Sequence, residues 1–147
     1  MKISDAQLKQ IYVHARETYP YECLGFLVGT FERGGFVHRV VQGSNLNMDQ
    51  TDRFEMDPKE FVHAEKEADD EGLSVIGFYH SHPDWPAIPS QTDIIWAWEG
   101  SYYLIVSVHE GRPFSTGVWS LATEGPKRFK QEPLEILDEN VLTTPAS

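Results

Sequence analysis

The segment that most constrains this chain is Ser74-Val75-Ile76-Gly77-Phe78-Tyr79-His80-Ser81, which reads as a short apolar strand whose C-terminal end turns polar. It runs through His82 into Pro83-Asp84-Trp85-Pro86-Ala87-Ile88-Pro89, where three prolines force an irregular loop. A strand that ends in histidines and is cut off by prolines must deliver those histidines to one edge of a sheet. A second apolar run, Cys23-Leu24-Gly25-Phe26-Leu27-Val28-Gly29, reads as a buried strand able to flank the first.

The remaining elements surround these two. Ser4 and Gln7 have capping-box spacing ahead of a helix that buries Leu8, Ile11, Tyr12 and Ala15 and stops at Pro20. Gly34-Gly35 predicts a hairpin turn into a strand over 36–41, followed by a polar loop from Gln42 to Asp52. Asp57-Pro58-Lys59-Glu60 opens a helix carrying Phe61, Ala64, Glu65 and Ala68 and ending at Gly72. Ser90 caps a short helix ending near Gly100, and three more strands are expected over 102–108, 115–122 and 128–135. The expectation is one mixed α/β domain over residues 1–137, with about six strands and about three helices, and a polar tail over 138–147 that frays.

Composition narrows the function classes. A net charge of −11 without a basic block disfavours nucleic acid as a partner. No stretch has the length of a membrane span, and the N-terminus lacks the apolar core of a signal peptide. A single cysteine, Cys23, excludes an intramolecular disulfide framework. The expected location is the cytoplasm, with a homodimer compatible with the pattern but not demanded by it.

The chemistry resides in His80-Ser81-His82-Pro83 together with Ser90 and Asp93. Alternation along a strand sends His80 and His82 to one face and Ser81 to the other. The proline loop is long enough to fold the start of the next helix, with Asp93, back over the strand end. Two imidazoles and a carboxylate satisfy zinc, and three protein ligands leave a fourth position for water. Hydrolysis at such a site also needs a carboxylate that is not a ligand. Glu22, at the edge of the neighbouring strand, is the candidate, although spacing alone does not single it out from the other acids. With six histidines in the chain a His-x-His pair is weak by itself. Ser90 and Asp93 also have the spacing of a plain helix capping box. As one ordered string these residues specify a metal site.

The string Glu22 … His80-Ser81-His82-Pro83 … Ser90-Gln91-Thr92-Asp93 closely resembles the JAMM, or MPN-plus, zinc metallopeptidase motif. The resemblance extends from the first helix to the strand near Val118 and is weakest at the C-terminus. It implies a curved mixed β-sheet related to the cytidine deaminase fold, one zinc ion bound by His80, His82 and Asp93, Glu22 as general acid/base, and Ser90 stabilising the oxyanion. It also implies hydrolysis of the bond after the C-terminal Gly-Gly of a ubiquitin-like β-grasp protein. The short chain is most similar to the small prokaryotic branch, like enzymes that process ThiS/MoaD-like sulfur carriers and release a C-terminal amino acid or short extension. An isopeptidase acting on lysine conjugates is the alternative, and a non-catalytic MPN scaffold is the second. A zinc deaminase needs a Cys-x-x-Cys pair that one cysteine cannot supply.

Other residues have plainer expectations. Trp85, Trp96 and Trp98 flank the motif and are candidates to line a substrate channel, with one of Trp96 and Trp98 in the core because they cannot share a helical face. Cys23 reads as a small buried residue rather than a redox switch. His14, His38, His63 and His109 lack partner spacing for metal, and the acids from Glu65 to Glu71 read as a solvated helix face.

Overall fold

The computed structural model describes residues 1–138, so the tail expected to fray from residue 138 lies, apart from Asp138, outside the described residues. In chain order the elements are β1 (Lys2–Ser4), α1 (Asp5–Thr18), β2 (Leu24–Thr30), β3 (Phe36–Gly43), α2 (Pro58–Asp70), β4 (Ser74–Pro83), α3 (Gln91–Trp96), β5 (Tyr102–His109), β6 (Arg112–Leu121), β7 (Phe129–Glu132) and β8 (Glu135–Leu137). All eight strands join one mixed sheet in the order β7-β6-β5-β4-β2-β3-β1-β8.

Eight strands replace the six expected. The segment over 128–135 is interrupted at Pro133, which has no N–H for a ladder, and its end becomes β8. β8 pairs in parallel with β1, placing Lys2 opposite Glu135. Each of these strands has three residues, too few for an alternation pattern, and their pairing joins the two ends of the described chain.

The caps follow the sequence signals. Ser4 Oγ accepts the Gln7 N–H at 3.0 Å and Gln7 Oε1 accepts the Ser4 N–H at 3.0 Å. Asp57 accepts the Lys59 N–H at 2.9 Å at the start of α2. The turn before β3 has positive φ at Arg33, Gly34 and Gly35 (54°, 80° and 95°), the conformation that favours glycine at the latter two. The third helix stops at Trp96, earlier than expected: Ala97 is extended, and the Trp98 N–H turns to the Tyr103 hydroxyl at 2.7 Å.

The two faces of the sheet differ in their packing. On one, Leu8, Ile11 and Ala15 of α1 meet Leu27, Val37, Tyr79, Leu104 and Val106, all nearly inaccessible. Each leucine, isoleucine and valine among them contributes about 1.5–3 kcal/mol by leaving water. Tyr79 lies here with its hydroxyl 2.7 Å from His14 Nδ1. Gly25 makes room for it, since a Cβ there would stand 2.1 Å from the Tyr79 ring. On the other face Phe26, Phe61, Phe78, Trp98 and Tyr103 form an aromatic layer with ring centroids 5.3–6.1 Å apart. That layer leads to the ends of β2 and β4.

Candidate metal centre

β2 and β4 are antiparallel, with Leu24 opposite His80. This register carries Glu22, just before β2, to the C-terminal end of β4. His80 and His82 project to one face, as alternation requires, and their Nε2 atoms lie 3.2 Å apart. Ser81 points the other way and its hydroxyl accepts the Cys23 N–H at 2.8 Å.

The proline loop is tied down carbonyl by carbonyl. The Ser107 hydroxyl donates to Trp85 O, and Trp119 Nε1 donates to Ala87 O at 3.0 Å. His82 Nδ1 lies 2.8 Å from Pro86 O. A carbonyl only accepts, so Nδ1 carries the hydrogen and the lone pair of neutral His82 is on Nε2. The loop then delivers Ser90 as the N-cap of α3, with a complete capping box. Ser90 Oγ accepts the Asp93 N–H at 3.0 Å and Asp93 Oδ2 accepts the Ser90 N–H at 2.8 Å. The capping box therefore also sets the geometry of the cluster, because the same Oδ2 stands 3.1 Å from His82 Nε2 and 3.3 Å from His80 Nε2.

These three atoms form a nearly equilateral triangle with edges of 3.1–3.3 Å. Zinc bonds of about 2.0–2.1 Å to tetrahedral corners give corner-to-corner distances of about 3.3–3.4 Å. Three acceptor atoms this close, each side chain at least nine-tenths buried, repel one another unless a proton or cation lies between them. The donor set and its spacing fit zinc. Glu22, 2% exposed, places a carboxylate oxygen within 4.8 Å of the imidazole nitrogens. The buried triad Glu22, His80 and His82 is thus itself a possible ligand group, and two carboxylates face the same pair of imidazoles.

The electrostatics agree with a cation site. Burial lowers the pKa of His80 against the pull of Asp93, keeping the ring neutral. Burial opposes ionisation of Asp93, but positive charge and a proton on the facing imidazoles, together with the Ser90 N–H, outweigh it and hold its carboxyl below the ordinary carboxylate range. Glu22 is pushed up to about 9 by burial first, then by the charges of Asp93 and Asp52. Glu22 Oε2 and His80 Nδ1 are buried without a hydrogen-bond partner. Cys23, by contrast, is pushed up to about 12 by burial, which leaves an inert thiol in place of a redox switch.

A cleft of about 470 Å³ opens beside the cluster, lined by Phe54, Met56, Phe78, Trp96, Trp98 and Tyr103 among others. Trp96 and Trp98 both line it, and neither is core: they are 75% and 46% exposed. The early end of α3 frees Trp98 from the helical geometry that would have separated the two. Trp85 is exposed on the proline loop, outside that cleft. The wall formed by residues 44–57 was not expected to contribute, yet Phe54 packs on His80 with ring centroids 4.8 Å apart. Its signal in the sequence is slight, two apolar residues, Phe54 and Met56, after a polar loop. The other histidines are engaged elsewhere: His14 with Tyr79, His38 with Phe36, His63 with Glu67 and His109 with Asp84. Among the described residues no helix is long and apolar enough to cross a membrane.

Comparison with known proteins agrees with this architecture. Residues 4–121 match the family described as prokaryotic homologs of the JAB domain. The chain is similar to a desampylase of Haloferax volcanii, 36% identical over 102 residues covering 66% of this chain and 73% of that protein. It is also similar to a probable TtuB-protein conjugate cleaving protease of Thermus thermophilus, 34% identical over 87 residues. That alignment covers 59% of this chain and spans only 56% of the relative's length. A solution structure from Desulfitobacterium hafniense superposes with a TM-score of 0.81 at 29% identity, covering 94% of this chain and 93% of that one. A JAB1/MPN domain protein from Archaeoglobus fulgidus shares the fold, with a TM-score of 0.59 at 22% identity over 93% of this chain and 99% of that one. By its sequence match and by its curled sheet with histidines at the end of β4, the chain belongs to the prokaryotic homologues of the JAB domain.

Proposed function

We propose that the protein is a zinc-dependent metallopeptidase that hydrolyses the amide bond following the C-terminal Gly-Gly of a ubiquitin-like β-grasp protein. The observation that carries this reading is the triangle of His80 Nε2, His82 Nε2 and Asp93 Oδ2 with the buried Glu22 carboxylate beside it. His80, His82 and Asp93 are the ligands in this reading, because their spacing is that of a coordination polyhedron. Glu22 remains free for proton transfer.

When bound there, zinc supplies Lewis acidity and lowers the pKa of a coordinated water to about 7. Glu22 accepts a proton from the attacking water and returns it to the departing amine, so a C–O bond forms as the C–N bond breaks. The Ser90 hydroxyl, whose oxygen already accepts the Asp93 N–H, donates its hydrogen to the carbonyl oxygen as negative charge develops there. A tail without side chains suits a site walled by Phe54 on one side and α3 on the other, since glycines let a backbone approach closely.

Two leaving groups fit this chemistry, a short C-terminal extension or the lysine of a conjugate. The relative named for cleaving TtuB-protein conjugates favours the second, although sequence reasoning placed C-terminal trimming first. A non-catalytic scaffold would have no use for the ligand triangle or for a buried unpaired carboxylate. Mass spectrometry of ThiS/MoaD-like carriers, extended past Gly-Gly or linked to lysine, with and without chelator, tests the proposal. Chelator-sensitive release of a product ending in Gly-Gly is expected. Zinc binding without release from either substrate would overturn it.

A further inference from the structure

The last paired residue of β2 is Leu24, opposite Gly43 of β3 and His80 of β4, and on the β4 side one further backbone bond follows, from Ser81 N–H to Cys23 O at 3.1 Å. The peptide group between Glu22 and Cys23 lies beyond it, yet both of its polar ends are held by side chains. Asn45 Nδ2 donates to Glu22 O at 2.9 Å from the β3 side. Ser81 Oγ accepts from Cys23 N at 2.8 Å from the β4 side. The Asn45 amide orientation is fixed by its other contacts, because Oδ1 accepts the N–H groups of Asn47 at 2.9 Å and Glu55 at 3.0 Å. One side chain thus closes the loop that carries Phe54 and ties it to the residue before β2.

We infer that Asn45 and Ser81 are positioning residues that clamp the Glu22–Cys23 peptide plane and so aim the Glu22 carboxylate at the reacting water. This rests on the proton-transfer role given to Glu22 above. Its buried Oε2 has no hydrogen-bond partner, so the carboxylate's aim depends on packing and on the backbone that carries it. Neither Asn45 nor Ser81 is a metal ligand in this reading. Ser81 sits between the two histidines, so the strand that presents them also holds the base, through its hydroxyl on Cys23 N and its backbone N–H on Cys23 O at 3.1 Å.

The test uses the zinc-loaded full chain with Asn45→Asp, Ser81→Ala, the double variant and Ser81→Thr, beside Glu22→Gln. Asp keeps the acceptor that closes the loop and removes the donor to Glu22 O, which separates positioning from loop closure. Each single variant is expected to keep one zinc and KM within about twofold while kcat falls about 10- to 100-fold, the scale of a small misplacement of a reacting group. Ser81→Thr, retaining the hydroxyl, should recover most of the Ser81→Ala loss. The double variant should lose less than the product of the singles, because both act on one peptide plane. Amide exchange at Cys23 should quicken at least about tenfold in Asn45→Asp as well as in Ser81→Ala, a readout independent of turnover. Unchanged Cys23 exchange in Asn45→Asp, or kcat within twofold of wild type in both single variants beside an inactive Glu22→Gln, would overturn the clamp alone. A fully active Glu22→Gln would instead overturn the acid/base reading beneath it.

Discussion

The two faces of this sheet treat buried polar atoms in opposite ways. On the α1 face the half-buried His14 ring and the Tyr79 hydroxyl meet at 2.7 Å at the edge of an aliphatic core, each satisfying the other. On the α3 face, Glu22 Oε2 and His80 Nδ1 are buried with no partner, and three acceptor atoms converge within 3.3 Å. Unpaired buried polar groups cost about 1–3 kcal/mol each, more when charged. A fold that satisfies such groups on one face and leaves them strained on the other is holding the second face for something that binds. The difference teaches where stability ends and function begins in a single domain.

Variants on the two faces should therefore fail differently. The largest loss is expected from Asp93→Ala, which removes a proposed ligand and the side-chain half of the α3 capping box: zinc stoichiometry by atomic absorption should fall toward zero, and peptidase activity with it. Glu22→Gln should retain zinc but lose about 10²- to 10⁴-fold in kcat. On the opposite face Leu104→Ala should cost about 2–5 kcal/mol in urea unfolding while the zinc stoichiometry of the folded protein stays at wild type. Tyr79→Phe, leaving His14 Nδ1 without its partner, should cost about 1–3 kcal/mol in the same measurement. Stability loss without zinc loss on the α1 face, and activity loss without stability loss at Glu22, would sharpen the contrast; a core variant that sheds zinc would break it.

The smallest expected effect concerns pH. Burial lowers the pKa of His14 from its ordinary 6.5, against the charge of Glu17. Below 6.5 the unfolded chain then takes up a proton more readily than the folded one. This contribution is complete above 6.5 and declines as pH falls through the lower folded value. Unfolding free energies on either side of pH 6.5 should show a shallower slope in His14→Gln than in wild type.

Much of this was legible in the sequence where a local rule settles the outcome. Alternation placed His80 and His82 together, and the Ser90–Asp93 spacing encodes a helix cap that also seats the Asp93 carboxylate beside the two imidazoles. What stayed hidden depends on contacts between distant segments. Glu22 is one acid among 23 Asp and Glu until the antiparallel register sets it beside β4. Asn45 reads as a polar loop residue until its amide reaches Glu22. β1 and β8 are too short to signal themselves, and only their pairing with each other, and of β1 with β3, makes them strands.

The central claim is the division of labour between two carboxylates facing the same two imidazoles. Zinc-edge anomalous diffraction from crystals of the zinc-loaded protein tests it most directly. The account predicts metal bonded to His80 Nε2, His82 Nε2 and Asp93 Oδ2, with the Glu22 carboxylate within hydrogen-bond reach of the open position. Metal bonded to Glu22, with Asp93 left to its helix cap alone, would contradict it.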